Sequence, residues 1–285
     1  MIAIELDRVS RAFEIPGGRE YCALDEISLA VPSGSFLAIV GPSGCGKSTL
    51  LTIAAGLLAP TSGAVRVLGE PLTSLNQHAT YMFQHDALLP WKDVRDNVML
   101  GLILAGIGRV EANARADRWL GRVGLTAFAR HFPAQLSGGM RKRAAMAQNW
   151  IIDREILLMD EPFSALDVHT RQHMEAELLA LWEQSGDAPS GSATHSGAGG
   201  SGGRKTVVFV THDLEEAIAL ADEVIVLSAG PASRVVSRHR VMLDRPRDLL
   251  DLRAQPAFVD LYRAIWADLR PEVVRSQRSA GAGDD

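Results

Sequence analysis

Short runs of apolar and β-branched residues alternate with helical patterns along most of the chain. The runs that begin at residues 36, 156 and 207 are apolar at consecutive positions, which is typical of parallel strands covered by helices on both faces. The sequence therefore predicts an α/β fold around a mainly parallel sheet. The predicted strands are Ile2–Leu6, Phe36–Val40, Ala64–Leu68, Tyr81–Gln84, Ile156–Asp160, Val207–Val210 and Val224–Leu227.

Two internal segments break this alternation. Residues 86–150 contain no strand pattern, and within them Trp119, Leu120 and Val123 share one face of a predicted helix over Arg115–Val123. We therefore expect an inserted helical subdomain there. Residues 185–204 consist largely of Gly and Ser without a large apolar side chain, which is typical of a flexible linker. The linker separates a helix that ends near Gln184 from the strand that follows.

The pattern weakens beyond Gly230, which predicts a main domain over residues 1–230 and a C-terminal extension over residues 231–285. In the extension, apolar residues at helical spacing predict one amphipathic helix that packs on the domain and precedes a polar tail from Arg275. The apolar positions of this helix are Phe258, Leu261, Tyr262, Ile265 and Leu269.

Composition limits where such a chain works. The 285 residues carry a formal net charge of −5, which gives no general attraction to nucleic acid or anionic lipid. The two cysteines, Cys22 and Cys45, favour a reducing compartment. The N-terminus lacks the pattern of a signal peptide, and the longest apolar run, Val98–Ile107, is half a membrane span. We expect a cytoplasmic protein with no membrane span of its own, whose membrane role is played through a partner.

A glycine-rich loop of the form G-x-x-x-x-G-K-[ST] follows the strand at Phe36–Val40 and opens a helical stretch. A glycine-rich turn without a ligand is the alternative, but the strand-loop-helix context favours a phosphate-binding loop. Lys47 is expected to reach the β- and γ-phosphates, and the Ser48 hydroxyl to ligate Mg²⁺. The other residues expected to surround the phosphates are Gly41, Pro42, Ser43, Gly44, Cys45, Gly46 and Thr49.

Two further strands end in polar residues suited to phosphoryl chemistry. Asp160 is expected to hold Mg²⁺, and Glu161 to position or deprotonate an attacking water. The alternative is that both acids simply end a strand at the surface. His212 follows the strand at Val207–Val210, where it could donate a hydrogen bond to the γ-phosphate, although a lone histidine is usually structural.

A second anion site is predicted at LSGGMRKR, residues 136–143, where small residues open a helix and bare its backbone N–H groups. The groups expected to hold phosphate there are Ser137, Gly138 and Gly139.

A possible metal-binding pair, His169 and His173, has i, i+4 spacing but lacks the Glu of a zinc protease motif, so a solvated helix face is the favoured interpretation.

In this order the motifs resemble the ATP-binding cassette (ABC) family over roughly residues 4–230. LSGGM is similar to the family's signature motif, and SALD, which ends at Asp167, to its D-loop. The resemblance implies a P-loop ATPase core with an antiparallel β portion and the helical insertion, with ATP and Mg²⁺ as cofactors. It also implies that Phe13 stacks on adenine, that Gln84 is the Q-loop residue near the metal, and that Asp167 lies near nucleotide.

The resemblance further implies partners. In such cassettes two subunits meet head to tail, so Ser137, Gly138 and Gly139 would cap the ATP bound by a second copy. The run after Gln84 looks like that of importers for nitrate, sulfonates and taurine, which work with a membrane permease and a solute-binding protein. Leu88, Leu89 and Trp91 would contact the permease, or else form subdomain core. These implications predict a peripheral protein on the inner face of the cell membrane.

Two other classes remain open. A soluble cassette ATPase that acts on nucleic acid or ribosomes would carry two cassettes or a long coiled coil, and would bind nucleic acid with steep salt dependence. A non-catalytic scaffold would have no need for Lys47, Asp160, Glu161 and His212 together. The chain also departs from the family pattern at Met140 and at Gln148–Asn149, where Gln and Arg-Ala are usual.

Overall fold

The computed structural model of the chain describes residues 1–85, 87–164, 166–184 and 204–281. The predicted linker, apart from Arg204, lies outside the described residues. The helix before it is described as far as Gln184, and the strand after it begins at Thr206. None of the described helices is both long and apolar enough to cross a membrane.

The strands and helices are numbered in chain order. The strands are β1 (Ile2–Ile15), β2 (Arg19–Pro32), β3 (Phe36–Val40), β4 (Ser62–Val67), β5 (Glu70–Pro71), β6 (Ala79–Met82), β7 (Ile156–Asp160), β8 (Thr206–Thr211), β9 (Glu223–Leu227) and β10 (Val235–Arg240). The helices are α1 (Lys47–Ala54), α2 (Val94–Val98), α3 (Leu100–Leu104), α4 (Arg109–Arg122), α5 (Gly138–Trp150), α6 (Val168–Gln184), α7 (Leu214–Leu220), α8 (Leu249–Leu252) and α9 (Pro256–Gly281).

The main sheet has the strand order β10-β9-β3-β8-β7-β6 and is parallel except at the β10–β9 edge. Strands β3, β7 and β8 are buried at every position, as their continuous apolar runs predict. Alternate residues of β3 pack into different core clusters, Phe36 into one and Leu37 into the other. The predicted α/β class, with a core on both faces of a mainly parallel sheet, is confirmed.

A separate antiparallel sheet has the order β2-β1-β4-β5. The prediction was wrong here in extent, because β1 runs to Ile15 rather than Leu6 and β2 was missed. The cause lies in the backbone: Arg8 and Glu26 have positive φ angles of 46° and 51°, and the β1–β2 register shifts beside Val9. Such irregularities break the strict alternation on which strand prediction rests.

The described part of residues 86–150 forms helices and no strand, as predicted, and buries its own core. Helix α4 begins at Arg109, six residues before the predicted start at Arg115. Its buried residues in the early turns are Ala112 and Ala116, whose small side chains give a weak hydrophobic signal. Trp119 is only half-buried, whereas Leu120 and Val123 are fully buried.

The segment after Gly230 contains more than the single helix predicted. Strand β10 pairs with β9 and completes the main sheet, so the chain returns to the core beyond the predicted boundary. Its charged residues, such as Arg238 and Arg240, hid it from the apolar pattern. Helix α9 continues to Gly281 instead of ending before Arg275, where an i, i+3 pair joins Arg275 to Glu272 at 2.9 Å.

Trp182 anchors the larger core cluster and is fully buried. Its ring meets Phe36 edge-on at 5.6 Å, and its Nε1–H donates a 2.7 Å hydrogen bond to the carbonyl of Lys205. We expect Trp182→Ala to lower the free energy of unfolding by about 3–5 kcal/mol. Urea denaturation followed by circular dichroism measures the change. Trp91→Ala is the matched control, because Trp91 is 71% exposed and its loss should cost less than about 0.5 kcal/mol.

Candidate active site

The functional groups gather at one edge of the main sheet. Strands β7, β8 and β3 are neighbours and parallel, so their carboxyl ends lie side by side. The phosphate loop follows β3, Asp160 ends β7, and His212 follows β8. This is the edge at which open α/β sheets bind ligands.

The phosphate loop has the backbone that a phosphate cradle needs. Gly44 and Gly46 have positive φ angles of 74° and 86°, and a Cβ on Gly46 would meet Leu24 Cδ2 at 2.7 Å. The Lys47 ammonium is almost buried and donates to the carbonyl oxygens of Gly41 and Pro42, each at 2.9 Å. It also lies 3.9 Å from Cys45 Sγ, and a buried cation held by neutral groups in a glycine-rich loop suits a polyphosphate.

Cys45 in the same loop is fully buried, and burial raises the pKa of its thiol. Its Sγ fills the space beside Gly41, where a Cβ would lie 2.6 Å away. The thiol is therefore a small packing group rather than a reactive one.

Oxygen ligands for Mg²⁺ lie together beside this loop. The Ser48 hydroxyl donates to Asp160 Oδ1 at 2.9 Å, and the Tyr81 hydroxyl donates to Asp160 Oδ2 at 3.2 Å. Burial raises the pKa of Asp160, and the hydrogen bonds from Ser48 and Tyr81 oppose that rise. A hydroxyl and a carboxylate at the mouth of a phosphate loop are the donor set that Mg²⁺ prefers, so the residues fit the metal.

Two polar side chains converge on one carboxylate oxygen of Glu161. Glu161 Oε2 lies 3.3 Å from Gln84 Nε2 and 3.2 Å from His212 Nδ1. Glu161 itself has a φ of 42°, a conformation that costs a non-glycine residue about 1–3 kcal/mol and is found mainly at functional sites. Its backbone N–H donates to the Val210 carbonyl at 3.0 Å, which fixes the strained residue to strand β8.

Strand β6 ends at Met82, so Gln84 lies in the loop beyond it and not in the predicted strand over Tyr81–Gln84. Lys142 of α5 is buried and donates a 2.6 Å hydrogen bond to the Gln84 carbonyl. Lys142 and Tyr81 are two site residues that the sequence analysis missed. The basic residues of LSGGMRKR indicated an anion-binding site. Nothing in that pattern indicated that the side chain of one lysine would donate to a backbone carbonyl 58 positions away.

The second predicted anion site is a well-formed helix start. Ser137 caps α5 by accepting a 3.3 Å hydrogen bond from the Met140 N–H. A Cβ on Gly139 would meet Thr170 Cγ2 at 2.7 Å, so this cap packs against the start of α6. Asp167 caps α6 by accepting from the Thr170 N–H at 3.0 Å, and these hydrogen bonds lower the pKa of Asp167. Phosphate binding by the cap, and a nucleotide contact by Asp167, stay predictions.

An arginine joins this region to the histidine turn. Arg171 Nη1 donates to Asp213 Oδ2 at 3.0 Å, and its Nη2 donates to the Leu166 carbonyl at 3.4 Å. Asp213 directly follows His212 and caps α7 through the N–H groups of Glu215 and Glu216. The turn before α6 and the turn that carries His212 are therefore held by one guanidinium.

Phe13 lies in β1 opposite Tyr21 of β2 and is half-buried, with the Arg11 guanidinium 4.6 Å from its ring centroid. The same strand β2 reaches the phosphate loop, where Leu24 packs beside Gly46. The hairpin that carries Phe13 thus borders the loop, and stacking of Phe13 on adenine stays a prediction.

His169 and His173 are exposed, His173 lies 3.3 Å from Glu177, and no cluster of three or more metal-ligating side chains occurs among the described residues.

This fold and this site define a nucleotide-hydrolysing P-loop protein of the α/β class. The family described as ABC transporter matches residues 24–164. The chain is 36% identical over 260 residues to the nitrate import ATP-binding protein NrtD of Synechococcus elongatus, which covers 90% of this chain and 88% of that protein. It is 41% identical over 216 residues to the taurine import ATP-binding protein TauB of Yersinia pestis, covering 76% and 77%.

Among solved structures, the dimeric post-hydrolysis state of the ATP-binding cassette MJ0796, bound to ADP and Pi, superposes with a TM-score of 0.69. The sequences are 30% identical, and the match covers 85% of this chain and 100% of that one. The chain belongs to the ABC transporter family. It is an ATPase, and ATP and Mg²⁺ are its cofactors.

Tyr81 offers a test of the metal site. Tyr81→Phe removes a hydrogen bond that lowers the pKa of Asp160, so that pKa rises further. Because Mg²⁺ needs the ionised carboxylate, we expect the acid limb of Mg²⁺-dependent ATPase activity to move to higher pH. The pH dependence of activity at limiting Mg²⁺ measures the shift, and saturating Mg²⁺ should reverse it. A loss of activity equal at every pH and every Mg²⁺ concentration would contradict this role.

Proposed function

We propose that this chain is the ATP-hydrolysing subunit of an importer for a small anionic solute, and that it works on the inner face of the cell membrane. One observation carries the proposal: Gln84 and His212 meet at a single oxygen of the strained Glu161, beside the Ser48–Asp160 pair. A nucleotide-binding scaffold would have no physical reason to hold a carboxylate in a strained conformation at that point.

The side chains divide the work in this proposal. When bound, MgATP would supply the γ-phosphoryl group, and its Mg²⁺ would neutralise negative charge on the phosphates. Lys47 would exchange its carbonyl partners for the β- and γ-phosphate oxygens. Ser48 and Asp160 would hold the metal, with Gln84 nearby. Glu161 accepts a proton from the attacking water, and His212 donates a hydrogen bond to the γ-phosphate.

A second copy of the chain completes each site in this proposal. The cap at Ser137, Gly138 and Gly139 is a well-formed helix start, where Ser137 accepts a hydrogen bond from its own helix and Gly139 packs on α6. Two copies placed head to tail would bring each cap to the other's γ-phosphate. The dimeric state of the MJ0796 cassette supports this arrangement.

The permease is proposed to bind a groove between the main sheet and the helical subdomain. The groove has a volume of about 220 Å³, and Phe83 and Leu104 on its wall are both exposed. Gln148 and Asn149, where the sequence departs from the family pattern, also line it, and their amides donate to the carbonyls of Asn97 and Ala145. Trp91 is exposed and available as a contact, whereas Leu88 packs into the subdomain core.

The solute class follows from the relatives, whose names specify nitrate and taurine, two small solutes that each carry an oxyanion group. Uptake of such a solute requires a permease to form the pathway and a solute-binding protein to deliver the anion. In this proposal those partners, and not this chain, select the solute.

Two inactive variants should restore one another if the sites are shared. Ser137→Glu places a carboxylate against the γ-phosphate of a second copy, and Lys47→Ala removes the phosphate-binding ammonium. A mixed pair keeps one complete site, so equal mixing should return up to roughly a quarter of the parent rate of phosphate release. Ser137→Glu mixed with the double variant Ser137→Glu, Lys47→Ala is the control and should stay inactive. A mixed rate equal to the sum of the separate rates would mean that each chain hydrolyses ATP alone.

The importer assignment is tested on the complex with its membrane permease, purified from the native cell and placed in vesicles with the solute-binding protein. Nitrate or taurine should raise phosphate release and accumulate across the membrane, and a solute of similar size without an oxyanion group should do neither. Glu161→Gln should reduce the stimulated rate by about 10²–10⁴-fold, which is the usual contribution of a general base. ATP turnover that ignores every small anion would contradict the proposed solute class.

A further inference from the structure

Helix α9 is fixed to the domain along one face. Phe258, Ile265 and Leu269 of this helix are buried in the larger core cluster. Glu272 is also buried and accepts a 2.8 Å hydrogen bond from the Ala229 N–H, and Asp268 pairs with His239 of β10 at 2.9 Å. These contacts explain how the helix is held, and they leave its neighbouring face unexplained.

That neighbouring face carries aromatic residues and borders the active site. Tyr262, Trp266 and Val273 lie on a stripe of α9 that lines a cavity of about 490 Å³. The opposite wall of the same cavity is formed by the phosphate-loop residues 41–43 and by the turn at residues 212–214. The α9 stripe, meaning Tyr262, Trp266 and Val273, is thus separated from the nucleotide-binding groups only by open space.

The exposure of Trp266 is what requires an explanation. Trp266 is 40% exposed although it lies beside a large core, and exposed apolar surface on an otherwise polar rim marks a contact site. Besides the Tyr262 hydroxyl, His212 and Asp213 are the charged or titratable residues that line the cavity, and Asp213 is already paired with Arg171 at 3.0 Å. A nearly neutral, aromatic wall fits a protein surface better than it fits an ionic ligand.

We propose that the α9 stripe is part of the surface that binds a second copy of this chain, and that Trp266 becomes buried when the two ATP sites close. The inference rests on the proposed head-to-tail pair. Its basis is continuity: Ser43 and His212 lie both in the γ-phosphate site and in the wall of this cavity. A second copy that covers the γ-phosphate from outside therefore also extends over the cavity mouth to Trp266.

The geometry gives α9 a role in the cycle of the enzyme. Closure around ATP buries Trp266, and separation after hydrolysis exposes it to water again. Because large aromatic side chains contribute much of the energy at protein interfaces, the stripe stabilises the closed pair while leaving ATP binding to a single chain unchanged. Trp266 is a contact residue of the pair and takes no part in the chemistry.

The experiment uses the full chain with Glu161→Gln, which blocks hydrolysis so that ATP-bound pairs accumulate. In this background Trp266→Glu should weaken the ATP-dependent dimer, measured by sedimentation velocity over a range of protein concentrations, by at least about tenfold in Kd. Val274→Glu is the matched control: Val274 is an exposed apolar residue of the same helix outside the cavity, and its change should leave Kd unaltered. Trp266→Phe should keep most of the affinity.

Each outcome either supports or contradicts the proposal that the α9 stripe contacts a second copy. If Trp266→Glu dimerises with parental affinity, that proposal is wrong, while the proposed head-to-tail pair still stands. A Glu161→Gln parent that stays monomeric with MgATP overturns the pair itself, and the inference with it. Binding of a fluorescent ATP analogue to the monomer, together with the urea midpoint, should be equal in Trp266→Glu and Val274→Glu. MgATP should protect Trp266 from acrylamide quenching only at protein concentrations that form dimer, and protection of the dilute monomer would contradict the proposal.

Discussion

The alignment of three buried parallel strands is the constraint on which the rest of this structure depends. Strands β3, β7 and β8 are apolar on both faces, so each can lie only inside the sheet, and their parallel pairing brings their carboxyl ends to one edge. The phosphate loop, the Asp160–Glu161 pair and His212 have no sequence proximity to one another. They become neighbours because each follows one of these strands.

Around that edge the protein accepts local costs that a structural module would avoid. Glu161 holds a positive φ, Asp160 is a carboxylate buried enough to have its pKa raised, and the Lys47 ammonium lies almost buried among neutral carbonyls. Each of these features is unfavourable alone: a bound metal-nucleotide complex would offset the cost of the two buried charges, and the Glu161 N–H bond to Val210 holds the strained backbone. The site is therefore organised for its cofactor before the cofactor arrives.

The sequence predicted the elements whose signals are local. The continuous runs of β3 and β7 gave correct strand bounds, and the glycines of the phosphate loop located the site. Strand β2 and strand β10 were missed because bulges and charged edge residues interrupt the alternation that marks a strand. Tyr81 and Lys142 were missed because their partners lie 79 and 58 positions away along the chain. Only the folded structure brings the Tyr81 hydroxyl to Asp160 and the Lys142 ammonium to the Gln84 carbonyl.

The bond from Lys142 to the Gln84 carbonyl has a mechanical consequence. Lys142 belongs to α5, and Gln84 Nε2 lies 3.3 Å from Glu161 Oε2, so a tilt of α5 would move the main chain of the loop whose side chain contacts Glu161. The contact is made by the Gln84 carbonyl oxygen, which remains whatever side chain replaces the glutamine. A substitution of Gln84 would therefore remove its side-chain amide and still keep the link between α5 and the main chain at this position.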